Sequence, residues 1–353
     1  MSRFLALGIT HYPLLAGTDE HMAGLLRWTL RDPDIPDQEK DPANWPEPMR
    51  AEWGNDEGRS TASEHRAKLL DGLRRCRTAL DEFQPDFVVV WGDDQYENFR
   101  EEVIPPFCVL AYGDLEVSAF EVMNERGSPN VWGLPEDFSI TLHGDAEAAK
   151  ALTDGLIHDG FDMAYSYRKR AGAHFPHAIL NTQLFLDYDH AGAEFPYRLI
   201  PVTVNCYGLH AIARRGGLAR FADISEETLD PAGPSPNRCF DLGRAVGRYF
   251  RNRDHRVAFI ASSSWSHAFL ADALWHIRPD TDADRRLYDL MVKGDYDALT
   301  KVTSAEVVAA GQHEILNWFC MLGAVSELGL NLEWSTLVTT DVFNSNKPFA
   351  IYT

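Results

Sequence analysis

The stretch Gln84–Phe107, QPDFVVVWGDDQYENFREEVIPPF, decides how this chain is read. Phe87 to Trp91 is a short, apolar, β-branched run bounded by Pro85 and Gly92. Such a run predicts a parallel strand covered on both faces, because a strand with one wet face would alternate with polar residues. In an open α/β sheet, ligands gather beyond the carboxyl ends of the strands, so Asp93, Asp94, Gln95 and Tyr96 stand where chemistry would be placed. The same residues also suit an ordinary strand-end turn, since Asp and Gly readily satisfy loop backbone.

Working outward, the pattern repeats. Phe4 to Ile9 predicts a strand ending in Thr10-His11-Tyr12-Pro13, and Tyr197 to Asn205 another. Arg256 to Ala261 is a third, running into Ser262-Ser263-Ser264-Trp265-Ser266-His267. Shorter strands are expected at Phe138–Leu142 and Phe161–Tyr167, with two pieces around Asn344-Ser345-Asn346 near the end of the chain. Three-and-four spacing predicts helices over Ser63–Phe83, Asp145–Asp159, Cys239–Arg251, Asp282–Leu299 and Ser304–Leu328. The expected fold class is therefore α/β: one domain over 1–353, with a central mixed, largely parallel sheet flanked by helices and a site at strand carboxyl ends. Residues 18–60 form an acidic, proline-rich insertion that carries Trp45 and Trp53, a composition of ordered chain that covers a site or contacts a subunit. A loop-rich tract is expected from Arg214 to Asn237.

Composition excludes several classes. With 33 basic and 53 acidic residues the net charge is −20, and no basic stripe is present to neutralise phosphates, so nucleic acid is not an expected partner. The densest positive run, Arg168-Lys169-Arg170, adjoins His174 and His177 and is a candidate for receiving an anionic substrate group. No apolar run reaches the ~20 residues of a membrane span, and the amino terminus reads as a strand, not a signal peptide. Five scattered cysteines without a CxxC pair suggest reduced thiols and a cytoplasmic location.

Several polar side chains fall at strand ends or on an apolar helix: His11, Gln95, His174 or His177, His267 and Glu314. Two histidines or amides plus a carboxylate, with coordination positions left open, is the donor set used for non-haem Fe(II). A Ser-His-Asp hydrolase through Ser264 or Ser266 and His267 is a competing arrangement, although no GxSxG elbow is present.

Together GITHYP, PDFVVVWGDDQYENF before IPPF, PVTVNCYG, SSSWSHAFL, HEILNWFCMLGA and FNSNKPFAIY resemble the class III extradiol ring-cleavage dioxygenases, the family of the protocatechuate 4,5-dioxygenase beta subunit. The similarity runs from about residue 4 to 353, outside the acidic insertion. The resemblance implies Fe(II) held by His11, a second histidine and Glu314, with His267 as acid/base catalyst. A further family histidine near the substrate matches the region of His174 and His177. Tyr96 and Asn346 are the substrate-binding candidates. The chain departs at the second ligand: where the family shows Asp-His, it has Asp94-Gln95. Gln95 through its oxygen, His65 or His174 from elsewhere, or loss of iron are the alternatives, and the first is the expectation taken forward.

The implied reaction is O2-dependent opening of a catecholic or aminophenolic ring by a homo-oligomer, with or without a small accessory subunit. The alternatives are a metal-dependent hydrolase or lyase on the same fold, and an inactive subunit or scaffold.

Overall fold

A computed structural model of the protein describes residues 3–121, 123, 128–208 and 230–353. The loop tract expected from Arg214 lies outside these as far as residue 229. Ten strands are present among the described residues: β1 (Phe4–Ile9), β2 (Phe87–Asp93), β3 (Phe107–Leu110), β4 (Leu115–Ser118), β5 (Ser139–Leu142), β6 (Ala164–Ser166), β7 (Leu199–Val204), β8 (Val257–Ser262), β9 (Leu332–Val338) and β10 (Lys347–Tyr352). Eight form one sheet in the order β6-β3-β7-β2-β8-β1-β10-β9, while β4 and β5 pair separately. The central four, β7, β2, β8 and β1, are mutually parallel. Their residues are buried throughout, which is why their sequences lack alternation. Against this block β10 and β3 run antiparallel.

The longer helices are α1 (Arg59–Phe83), α2 (Ala146–His158), α3 (His177–Leu186), α4 (Pro236–Arg251), α5 (Thr281–Lys293) and α6 (Ile315–Leu328). Leu69 and Leu73 of α1 and Ile179 and Leu184 of α3 pack with Val88, Val90 and Ile260 on one face of the sheet. On the other, Leu152 of α2, Phe240 of α4 and Trp318 of α6 pack with Val89, Trp91 and Phe259. Helices α4 and α6 touch backbone to backbone: a Cβ on Gly243 would lie 1.7 Å from the Cys320 carbonyl oxygen, and one on Gly323 2.0 Å from that of Phe240. That contact seats α6, with Glu314 at its start, directly under the strand ends.

Several boundaries differ from the sequence expectation, and three of them have a clear local reason. Strand β2 continues through Gly92 to Asp93, because both still pair with β7. The helix expected over Asp282–Leu299 stops at Lys293, where Gly294 turns left-handed at φ +65. The one expected over Ser304–Leu328 is two helices, Ser304–Ala309 and α6, broken at Gly311 with φ +64. Glu314 thus caps a helix instead of sitting within one. The insertion is ordered into short helices, with Trp45 and Trp53 buried edge to face at 5.6 Å.

Candidate metal centre and active site

The carboxyl ends of the parallel strands deliver the polar cluster. His11 follows β1 by two residues, and its Nδ1 lies 2.7 Å from the Ser262 carbonyl at the end of β8. A carbonyl only accepts, so the proton sits on Nδ1 and the Nε2 lone pair points inward. That Nε2 is 3.4 Å from Glu314 Oε2 and 3.7 Å from Asp93 Oδ1. Burial, reinforced by His177, pushes the His11 pKa well below the ordinary value, so the ring is neutral.

Asp93 ends β2 and Glu314 precedes α6, and both are buried. Burial first, and then their mutual repulsion, raises the Glu314 pKa well above the usual carboxylate range. The Tyr207 hydroxyl, just beyond β7, donates to Glu314 Oε1. Glu314 Oε2 and Asp93 Oδ2 are buried without a hydrogen-bond donor among the described residues. A helix start favours a carboxylate, but a half-charge does not offset two buried anions.

His177 opens α3, and its main-chain N–H and Nδ1 both donate to the Glu97 carboxylate, at 3.0 and 2.9 Å. Its ring stands edge-on to His11, with centroids 4.9 Å apart. Burial works against a charge on this ring, but Glu97, Asp93 and Glu314 outweigh it and hold the pKa at about 9. One ligating atom from each of His11, Asp93 and His177 lies within 4.8 Å of the other two, a grouping able to hold a metal ion.

On the opposite side, His267 Nε2 lies 3.3 Å from Glu314 Oε1. Its main-chain N–H donates to the Gly311 carbonyl at 2.9 Å, and a Cβ on Gly311 would lie 2.8 Å from the His267 carbonyl oxygen. The helix break therefore exists where the His267 turn needs room. Burial drives the His267 pKa down to about 3 against the opposing Trp265 carbonyl, leaving the ring neutral.

Gln95 and Tyr96 are half-buried on the turn after β2. The Asp94 carboxylate ties this turn by accepting from the main-chain N–H groups of Glu97, Asn98 and Phe99, and Tyr96 takes φ +60. Other candidates lie apart from the cluster. His174 Nδ1 is 2.9 Å from Glu121 on the partly exposed side, and buried His65 meets Lys347 Nζ at 3.1 Å. Asn346 is buried with its amide bonded to Asp284, Thr281 and Thr340, an arrangement that binds framework and not a ligand. The serine arrangement fails too, because Ser264 bonds Thr10 and Ser266 donates to the Ala310 carbonyl, while His267 faces Glu314. In the basic run, Arg170 pairs with Glu102 and Lys169 donates to the Ala173 carbonyl. Sequence reasoning placed Asp93 near the site without a role and missed Tyr207 and Glu97. The extension of the apolar run by Gly92-Asp93 was the available signal for the first.

The family model for the catalytic LigB subunit of aromatic ring-opening dioxygenase matches residues 55–351, a span that includes His177, His267 and Glu314 and begins after His11. Three relatives are each named 2,3-dihydroxyphenylpropionate/2,3-dihydroxicinnamic acid 1,2-dioxygenase. One from Pseudomonas putida is 28% identical over 57% of this chain and 49% of its own length. One from Rhodococcus jostii is 23% identical over 73% and 81%, and one from Comamonas testosteroni 28% identical over 62% and 54%. The chain thus spans about half the length of two of these relatives and about four-fifths of the third. No helix among the described residues is long and apolar enough to cross a membrane. With strand ends, cluster and matched span in agreement, the chain belongs to the family of the catalytic LigB subunit of aromatic ring-opening dioxygenases, as its motifs implied.

Proposed function

We propose that this protein is an Fe(II)-dependent extradiol dioxygenase that opens a catecholic or aminophenolic ring with O2. One observation carries the reading: the His11 Nε2 lone pair faces Glu314 Oε2, a buried oxygen with no hydrogen-bond donor among the described residues, and beside it Asp93 Oδ1 of a second buried carboxylate. Acceptors facing acceptors in a water-poor site call for a cation. Two imidazoles with carboxylates suit non-haem Fe(II). In this reading His11, His177 and the carboxylates of Glu314 and Asp93 hold the ion, and Gln95 flanks it from the β2 turn beside Tyr96, which lines the substrate side. When bound, Fe(II) would supply a template for the substrate oxygens and O2 and a path for electrons between them.

The protein's own groups handle the protons. Neutral His267 accepts a phenolic proton at Nε2, and Glu314 Oε1 at 3.3 Å stabilises the resulting imidazolium. The same Nε2, once protonated, would return the proton as a general acid later in the reaction. Tyr207 fixes Glu314 through Oε1 and so leaves Oε2 turned toward His11. Glu97 orients the His177 ring as a second carboxylate behind a ligand. The relatives' names point to a ring with two adjacent hydroxyls as the substrate class. Five buried free thiols suit a reducing compartment such as the cytoplasm.

The test is metal analysis of purified protein combined with O2 uptake on 2,3-dihydroxyphenylpropionate. Stoichiometric iron with catechol-dependent uptake supports the proposal. Zinc without uptake would shift the reading to hydrolase or lyase chemistry, and protein that binds neither metal would make it a scaffold.

A further inference from the structure

Residues 1–54 precede the family match, yet the insertion that begins within them reaches into the framework of His267. Glu52 lies in the short helix Glu47–Trp53 and is half-buried. Its carboxylate accepts from Thr340 Oγ1 at 2.7 Å, from the Asp341 N–H at 2.8 Å and from the Val342 N–H at 2.9 Å. Thr340 Oγ1 in turn accepts from the N–H groups of Val342 and Phe343, at 3.1 and 2.9 Å. One carboxylate therefore organises the turn between β9 and β10.

That turn continues as the backbone partner of the His267 segment. Trp265 N–H donates to the Asn346 carbonyl at 2.9 Å, Asn346 N–H to Ser266 at 3.2 Å, and Ala268 N–H to Asn344 at 2.6 Å. His267 and Ser345 face each other as an antiparallel bridge. A shift of the turn thus moves the His267 backbone directly.

Glu52 is itself anchored. Thr61 Oγ1 donates to its carbonyl at 2.7 Å, and Trp53 and Met49 are buried in the same core as Val342 and Phe343. Gly58, at φ +80, brings the end of the insertion so close that a Cβ there would lie 3.0 Å from Val342. An apolar seat alone would hold the insertion. Three bonds converging on one carboxylate instead fix the register of the turn, because each requires a different main-chain or side-chain donor in place.

We propose that Glu52 is a positioning residue for His267, by which the acidic insertion sets the orientation of the acid/base ring through residues 340–346. Glu52 does not touch substrate or metal. The proposal rests on the reading of His267 as the acid/base group. A small misplacement of a catalytic group costs turnover while leaving remote binding intact, so the signature is in kcat.

The experiment compares full-length, iron-loaded wild type with Glu52→Ala, Glu52→Gln, Thr340→Val, the Glu52→Ala/Thr340→Val pair and His267→Ala, measuring kcat and KM for 2,3-dihydroxyphenylpropionate and iron content. Glu52→Ala should lower kcat about tenfold with KM within about twofold and iron unchanged. Glu52→Gln, which keeps two acceptor lone pairs, should recover part of that loss. Thr340→Val should lower kcat in the same sense, and the pair should fall no further than the worse single variant, since both break one linkage. Should Glu52→Ala not fold, Thr340→Val alone carries the test. Unchanged kcat in the Glu52 and Thr340 variants, a change confined to KM, or additive losses in the pair would overturn the proposal. Unimpaired turnover in His267→Ala would instead remove the acid/base reading, a result separable from any effect of Glu52.

Discussion

The two flanks of the cluster are built on different plans. On the His267 side, the motif residues lie within one strand end, and the ring is held by main-chain bonds to Gly311 and to the turn before β10. On the His177 side, the ring comes from α3 and is aimed by Glu97, 80 residues earlier, on a turn that Asp94 ties together. The first flank is rigid backbone, and its neutral ring suits a group that must gain and lose a proton. The second is a side-chain relay among charged groups, and it stands where the chain has Gln95 in place of the family's histidine. The comparison teaches that a buried ring can be aimed either by its own main chain or by a carboxylate from a distant turn, and that the second plan brings His177 to His11 without help from position 95.

Breaking the centre that both flanks share should have the largest effect. Glu314→Gln is expected to lose iron and to lower turnover by roughly three orders of magnitude or more. The amide oxygen can still accept from Tyr207, while the repulsion with Asp93 disappears. Metal-free Glu314→Gln should therefore melt above metal-free wild type, although below the iron-loaded enzyme, as scanning calorimetry with and without chelator would record. A lower melting point for the metal-free variant would mean that the two carboxylates do not strain the unloaded site.

The flanks should then separate. His267→Ala should keep its iron and lose about 10²- to 10⁴-fold in kcat. His177→Ala should do the reverse, weakening iron affinity about 10- to 100-fold with a smaller loss of kcat once iron is saturating. Titration of chelator-stripped protein with Fe(II), followed by single-turnover kinetics, distinguishes the two. If both variants lost only kcat, the flanks would have the same role and the comparison would fail.

Legibility followed the same division. The apolar run into Gly92, the Thr10-His11 ending of β1 and the Ser262–His267 tract could be read because strand, tip and functional side chain are contiguous. Glu314 could also be singled out, since a carboxylate amid Ile315 and Leu316 is costly without a partner. Its position as a helix cap was not, because the break depends on Gly311 yielding to a carbonyl from a distant turn. His177 and His174 are three residues apart and could not be ranked by spacing: one meets Glu97 and the other Glu121, contacts set by tertiary packing. Asn346 read as a ligand-facing amide, yet Asp284, Thr281 and Thr340 surround it.

Asp284 offers a milder probe of the His267 flank. Its buried carboxylate accepts from the Ser266 N–H, Gln312 and Asn346, and burial nonetheless raises its pKa from 3.8 to about 7. The folded state then binds more protons than the unfolded state between these values. Stability should fall as pH rises from about 4 to about 7 and level off above, with an upper bound of roughly 4 kcal/mol from this group. Asp284→Asn should flatten that slope in urea midpoints measured across the interval. A slope unchanged in the variant would assign the effect to other carboxylates.

The smallest expected effect belongs to Gln95→His, which restores the family's residue on the His177 flank. If the β2 turn still presents position 95 to the ion, a third imidazole should join His11 and His177 and tighten Fe(II) binding several-fold, with turnover kept. If Asp93 and His177 already complete the donor set, the new ring adds little to affinity and competes with substrate for space, so KM rises while the Fe(II) Kd stays within about twofold. The present geometry favours the second outcome, because His177 and Asp93 Oδ1 already approach His11. Combining Gln95→His with His177→Ala sharpens the choice: recovery of Fe(II) affinity in the double variant would show that the two positions serve one coordination site from neighbouring elements of the same flank, and no recovery would confine that site to the ring aimed by Glu97.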